Sequence, residues 1–252
     1  MNIIDIGMYD GADTCYYLES GNKVLAVEAN PALCAMADQR LSNYVQSGQL
    51  TILNVAVSNI PGTIDLHICG QDLGSSSIYA DRIAHRFPLG SYQVSTVTLQ
   101  ALIAQYGRPD FVKIDIEGAD RDCILSLTQD NAPPFLSFEA HDDLEELLAH
   151  GYSIGYRNFK LIHQNTFRAL QNQDCLKDRI SMKLVRLLGY EEPRFVRRNG
   201  RLFMLGHSAG PAPWDSDGGW YGMQELLTAW KLATRRGRTG GWYDVHATMT
   251  RA

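Results

Sequence analysis

The residues of this 252-residue chain best placed to do chemistry are carboxylates set beside glycines at the ends of short apolar runs. The first run leads into Asp5-Ile-Gly7-Met-Tyr9-Asp10-Gly11, a D-x-G-x-x-x-G pattern. Glu28 ends the second run, about 20 residues after Gly7. A glycine at such a turn lets backbone approach a ligand, and the helix that follows offers its N-terminal N–H groups. An acid ending the second strand can accept from both ribose hydroxyls, so this spacing is nucleotide-binding geometry.

Which nucleotide is decided by what the loop lacks. A dinucleotide site asks for G-x-G-x-x-G, whereas Tyr9 and Ala12 stand at the second and third glycine positions. Asp5, Asp10 and Asp13 would repel a pyrophosphate by about 1 to 4 kcal/mol per close pair at surface-like dielectric. S-adenosyl-L-methionine carries no phosphate, and its sulfonium and ammonium are attracted by the same acids. The bland alternative is a tight strand-to-helix turn in an unrelated α/β protein.

Methyl transfer to an alcohol needs alignment, exclusion of water and a base for the hydroxyl proton. The candidates are Asp115 and Glu117 in Lys113-Ile-Asp115-Ile-Glu117-Gly118, and Glu139 and His141 further on. Alternation places Lys113, Asp115 and Glu117 on one side of a strand, and Gly118 permits a turn. Competing roles are a helix cap for Asp115 or Glu117, a salt bridge to Lys113, and a hydrogen-bonded structural role for His141. Magnesium would need a cluster of hard oxygen ligands, and none is dedicated to it; His67, His85, His150, His163 and His207 lack zinc spacing, so no metal is expected.

These groups require a scaffold of alternating strands and helices. Apolar, β-branched runs predict strands at Asn2–Ile6, Lys23–Val27, Leu50–Val57, Thr63–Ile68, Phe111–Ile114 and Phe135–Ser137. Amphipathic segments predict helices at Thr14–Ser20, Pro31–Gln46, Leu99–Tyr106, Asp120–Thr128 and Asp142–His150. The alternation means a parallel sheet with right-handed crossovers, helices on both faces and a site at the carboxyl ends of the strands. The Ser-rich stretch from Gly74 to Ser95 reads as a surface loop over that site. Beyond Gly151, strands are expected at Tyr152–His163 and Arg201–Met204, with a basic helix near Arg179–Leu188. A single domain, 1–252, is expected, with 1–150 as the cofactor-binding core and 151–252 completing the sheet.

In order and spacing, several segments resemble the FkbM-type methyltransferases: Ile4-Asp-Ile-Gly7, Val27-Glu-Ala-Asn-Pro31, Asn54-Val-Ala-Val-Ser-Asn59, Gly74-Ser-Ser-Ser77, Val112-Lys-Ile-Asp-Ile-Glu-Gly118 and Ser137-Phe-Glu-Ala-His141. Thr98-Leu99 before Pro109 also matches, with weaker matches in Gly206-His-Ser-Ala-Gly-Pro211 and Gly241-Trp-Tyr-Asp-Val-His246. The resemblance implies an α/β, Rossmann-like class I methyltransferase fold with a mostly parallel seven-stranded sheet, its last strand antiparallel. It implies S-adenosyl-L-methionine as cofactor and, commonly, a hydroxyl as acceptor. Carried over by position, Asp5, Gly7, Gly11, Glu28 and Asn30 match the cofactor loop and ribose end, and Ala56 and Ser58 the surroundings of the adenine. Tyr9, Asp10, Ala29 and Asp115 complete the expected cofactor set. The family often has Asn in place of Tyr9, and little chain precedes the first strand, so the Ser-rich loop or the C-terminal part must cover the site.

Composition bounds the rest. Residues 1–150 hold 20 acidic and 7 basic side chains, and residues 151–252 hold 8 and 16. Five cysteines without a CxxC pair suit reduced thiols and a cytoplasmic location; no secretory leader and no run near about 18 apolar residues are present. Arg194, Arg197, Arg198 and Arg201, then Lys231, Arg235, Arg236 and Arg238, are interleaved with tryptophans and tyrosines, a nucleic-acid-like pattern. The acidic first part speaks against nucleic acid. A solvated or interface face, a homodimer pairing the two charge halves, or an anionic acceptor are the readings preferred. The expected reaction is O-methylation of a small biosynthetic molecule such as a sugar, polyketide or glycolipid. N-methylation, a nucleic-acid methyltransferase and a non-catalytic cofactor-binding module are the alternatives.

Overall fold

The computed structural model describes residues 1–172, 195–235 and 242–250. The expected basic helix near Arg179–Leu188, together with Cys175, Arg194, Arg236, Arg238 and Gly241, lies outside the described residues.

Strands β1 (Asn2–Ile6), β2 (Lys23–Glu28) and β3 (Leu50–Asn54) run parallel, as do β7 (Phe111–Ile114) and β8 (Phe135–Glu139), which extend the same sheet on the other side of β1. Their connections carry helices α1 (Ala12–Glu19), α2 (Pro31–Arg40), α3 (Ser42–Gln46), α5 (Leu99–Tyr106), α6 (Asp120–Leu125) and α7 (Leu144–Ser153). Strand β13 (Tyr243–Thr248) enters antiparallel between β8 and β9 (Asn158–His163). The order is β10-β9-β13-β8-β7-β1-β2-β3, eight strands rather than seven, because the two-residue return β10 (Arg168–Ala169) pairs antiparallel to the edge of β9.

The two faces of the sheet differ in chemistry. Ile4, Ile6, Val112, Ile114, Leu136 and Phe138 point into an apolar core shared with α5 to α7 and with α8 (Met223–Arg235). The alternate residues on the other face form a buried polar row, Asp5, Lys113, Ser137, His246 and Lys160, in register across β1, β7, β8, β13 and β9. Polar groups in such a place must be partnered. The His246 imidazole meets the Ser137 hydroxyl at 3.1 Å, and Lys160 donates to the Ser216 carbonyl and hydroxyl oxygens. Helix α1 and the segment Gly206–Gly222 cover this face.

Several expected boundaries move. Leu50–Val57 is two strands: β3 stays in the main sheet, while β4 (Ala56–Val57) joins a separate sheet of order β4-β6-β5, with β5 at Gly62–Cys69 and β6 at Pro88–Val97. The stretch from Gly74 to Ser95 is therefore not all loop; it holds α4 (Ala80–Ile83) and much of β6. Only Val94 of β6 is buried, so that strand carries no apolar run to betray it. Pro31–Gln46 breaks into α2 and α3 at the buried Leu41. Helix α7 runs on to Ser153, because Leu144, Leu147, Leu148 and Gly151 recur at helical spacing on its buried side; β9 thus begins at Asn158 rather than Tyr152. Arg201–Met204 is a strand, β12, but it pairs with β11 (Phe195–Arg198) in a hairpin outside the main sheet.

Candidate active site

The turn after β1 is held from both sides. The N–H groups of Gly7 and Met8 donate to the Val27 carbonyl at 2.9 and 3.2 Å, fastening the turn to the end of β2. Gly7 has φ +79°, and a Cβ there would sit 1.7 Å from the Asp115 carbonyl oxygen. Glycine is required here for the close approach of two strand ends, a demand set by the chain itself. Tyr9 is left-handed too, with φ +53°, a costly conformation for an aromatic residue. Its N–H donates to Glu28 at 3.0 Å, its hydroxyl to Asp72 at 3.2 Å, and its ring lies 5.2 Å from that of His207.

Glu28 receives N–H groups from Tyr9 and from Asn30, the latter at 2.8 Å. Burial nevertheless pushes its carboxyl up to about 7, against those donors. The carboxylate borders a narrow cleft whose walls include Ala29, Ala56, Val57, Leu66 and Ile78. A second compartment of about 640 Å³ lies beyond, and Gly7, Glu28, Gly74 and Asp115 border both. An acid beside an apolar slot, with no cationic side chain lining the first compartment among the described residues, fits a nucleoside without phosphate.

Asp115 stands where the two compartments join, and Glu117 lines the second. The Lys113 ammonium, its side chain 6% exposed, lies 3.1 Å from Asp115, 3.6 Å from Asp13 and 3.8 Å from Asp5. Burial opposes that charge, yet Asp115, Asp5 and Asp13 together hold the ammonium well above its ordinary range. Glu117 has φ +50°, and its carboxyl is pushed up to about 7 by burial first, then by Asp115 and Glu139. The turn beneath it is fixed by Asp120, which accepts N–H groups from Ile116 and Gly118, and by the Ser77 hydroxyl, which donates to the Glu117 carbonyl at 2.8 Å. The Ser-rich turn thus borders the cleft, with Leu73, Gly74, Ser76 and Ser77 in its wall.

The remaining expected site residues are placed elsewhere. Asp5 is fully buried, accepts from the Thr14 hydroxyl at 2.6 Å and has its carboxyl raised to about 6 by burial. Asp10 accepts from the Ala12 N–H and pairs with His207 at 3.0 Å and Arg40 at 3.8 Å. Gly11, with φ +77°, is the N-cap of α1; the Asn30 side chain caps α2 by accepting from the Ala32 N–H. Ser58 lines neither compartment. Glu139 and His141, 3.1 Å apart, border a different and more open hollow with Asp120, Arg121 and Trp230. The imidazole is raised by its hydrogen bond to Glu139.

Five further residues of the second compartment were not among the expected site residues: Asp72 and Gln164, and His207, Ser208 and Trp242, which lie in the weaker matched segments. The Ser208 hydroxyl and Ala209 N–H donate to Asp13, so the C-terminal part closes over the cofactor loop. The matched segments starting at Gly206 and Gly241 were the available signals, and they did not say what those residues touch. None of the described arginines lines either compartment. Among the described residues no group of three or more His, Cys, Asp or Glu is arranged to hold a metal ion, and no helix is long and apolar enough to cross a membrane.

A parallel sheet in this order with one inserted antiparallel strand, a glycine turn after the first strand and an acid ending the second define the Rossmann-like methyltransferase fold. The methyltransferase FkbM domain matches residues 5–157, and the chain belongs to that family of S-adenosylmethionine-dependent methyltransferases. Among solved structures it is similar to a methyltransferase FkbM from Methylobacillus flagellatus KT, at 15% identity and TM-score 0.45, covering 64% of this chain and 40% of that one. It also matches a precorrin-6y C5,15-methyltransferase from Geobacter metallireducens GS-15, at 9% identity and TM-score 0.44, covering 99% and 80% of the two chains. A SAM-dependent O-methyltransferase from Thermotoga maritima matches at 11% identity and TM-score 0.38, covering 100% and 60%. The chain spans less than half the length of the first of these structures. No curated protein matches it.

Proposed function

We propose that the protein binds S-adenosylmethionine in the first compartment and methylates a hydroxyl of a small biosynthetic molecule held in the second. The observation that carries this reading is the junction: Gly7, Glu28 and Asp115 border both spaces, so a ligand on Glu28 reaches the wall where the acceptor would lie. The cofactor supplies a methyl group activated by a sulfonium. Glu28 binds the ribose hydroxyls, and Ala29, Ala56 and Leu66 flank the adenine. Asp115, fixed by Lys113, orients the acceptor, and Glu117 accepts the hydroxyl proton on its carboxylate. Leu73 and Ile78 exclude water from the first compartment. Glu139 and His141 serve this reading less well, because they face a separate hollow. The described cysteines, Cys15, Cys34, Cys69 and Cys123, are free thiols, which supports a cytoplasmic setting.

Calorimetric titration with S-adenosylmethionine and S-adenosylhomocysteine, followed by labelled methyl transfer into a cell extract, tests the proposal. Micromolar binding of both and a labelled small molecule are expected. Folded protein that binds neither would end it.

A further inference from the structure

The second compartment has a one-sided chemistry. Asp13, Glu28, Asp72, Asp115 and Glu117 contribute carboxylates to its lining, and among the described residues Lys113 contributes the single lysine or arginine. That ammonium is buried and already shared among Asp5, Asp13 and Asp115. His207, also in the wall, is turned onto Asp10. Among the described residues, only Lys113 donates to the Asp115 carboxylate, and no side chain donates to that of Glu117. Asp115 and Glu117 therefore keep acceptor sites open to a ligand's donors, beside the already bonded carboxylates of Asp13, Glu28 and Asp72. A phosphate or carboxylate brought here would meet carboxylates and, among the described residues, no free cation. A purely apolar chain would leave the same groups unsatisfied. Trp242, 46% exposed, adds the broad apolar surface of an indole beside these polar groups.

We infer that the acceptor enters as a polyhydroxylated ring without negative charge, its hydroxyls donating to Asp72, Asp115 and Glu117 and one of its faces lying on Trp242. This rests on the methyl-transfer reading above and narrows it. Asp72 and Trp242 become the specificity-determining residues. Asp72 is suited to that role because it sits at the rim, accepting from Tyr9, Gly74 and Ser75.

The test is calorimetry on full-length protein saturated with S-adenosylhomocysteine. The probes are methyl glycosides of glucose, galactose, mannose, rhamnose and glucosamine, with glucose 6-phosphate and methyl glucuronide as anionic counterparts and 1-octanol as an apolar alcohol. At least one neutral or amino glycoside is expected to bind, with its anionic counterpart at least tenfold weaker. Trp242→Ala should weaken the glycoside about tenfold and leave S-adenosylhomocysteine binding unchanged. Asp72→Asn should narrow the gap between neutral and anionic sugars. Equal or tighter binding of the anionic sugars, binding of octanol alone, or binding of no glycoside to the loaded protein would overturn the inference. Failure of S-adenosylhomocysteine itself to bind would instead remove the methyl-transfer reading, and this one with it.

Discussion

Two carboxyls in the cleft are held near 7, and their separate tasks let pH tell them apart. As the proposed base, Glu117 would act only when ionised, so kcat/KM should rise with pH through about 7 and level above it. Glu117→Gln is expected to remove that limb and lower kcat by roughly 10² to 10⁴ fold with little change in cofactor affinity, as read from rate profiles and calorimetry. On the proposed function Glu28 binds the cofactor: S-adenosylhomocysteine affinity should tighten as pH rises through about 7, and Glu28→Gln should lose that dependence. The same shift has a stability consequence. A carboxyl raised from 4.5 to about 7 on folding contributes stability that is fully present below 4.5 and is lost as pH climbs through 7. Thermal unfolding should therefore show Glu28→Gln gaining on the parent protein at pH 8 compared with pH 5. A gain that is the same at both pH values would mean that Glu28 titrates in the ordinary range.

The elements show why the cofactor half was legible and the acceptor half was not. Strand ends β1, β2 and β7 announce themselves through apolar runs that stop at Asp5-Ile-Gly7, Glu28 and Asp115, because a strand buried on both faces leaves an unbroken pattern. The acids of the cofactor loop were legible as carboxylates but not as to their partners. Asp5 and Asp13 are spent on Lys113, Thr14 and Ser208, which come from a neighbouring strand, a helix turn and a segment about 195 residues away. Strand β6 is exposed along most of its length, and β13 reaches its place between β8 and β9 only through long-range pairing. Gly7 has a second task that the motif did not announce: besides lining the cleft, it permits the close contact of β1 with β7. Gly7→Ala is thus expected to destabilise the fold by at least about 3 kcal/mol, since left-handed strain adds to a collision with backbone at 1.7 Å. Gly48→Ala is the control, left-handed at φ +73° with nothing within 4 Å of the added Cβ, and should cost only about 1 to 2 kcal/mol. Urea unfolding of the two variants measures the difference, and equal costs would show that the strand ends can part without penalty.

At the scale of the molecule, the acidic first part and the basic second part meet within one chain. Arg201 pairs with Glu19 at 3.4 Å and Lys231 with Glu145 at 2.7 Å, both on exposed surface where such pairs contribute about 1 kcal/mol or less. Charge complementarity therefore orients the second part on the first more than it stabilises it. The tighter coupling is in the buried contacts over the cofactor loop. Asp13 accepts from Ser208 and Ala209, Tyr16 donates to Asp215, and Asp10 meets His207, so Gly206–Asp215 is built onto α1 and the turn before it. A ligand that orders the turn should then order the covering segment as well, because the two share these hydrogen bonds. Hydrogen exchange on the full chain tests this. S-adenosylhomocysteine is expected to slow exchange in peptides from Gly7 to Asp13 and, to a comparable degree, in peptides from Gly206 to Ala212, with α8 unchanged. Protection confined to the first of these regions would show that the C-terminal part covers the site without responding to it, and that the cofactor is held by the first 150 residues alone.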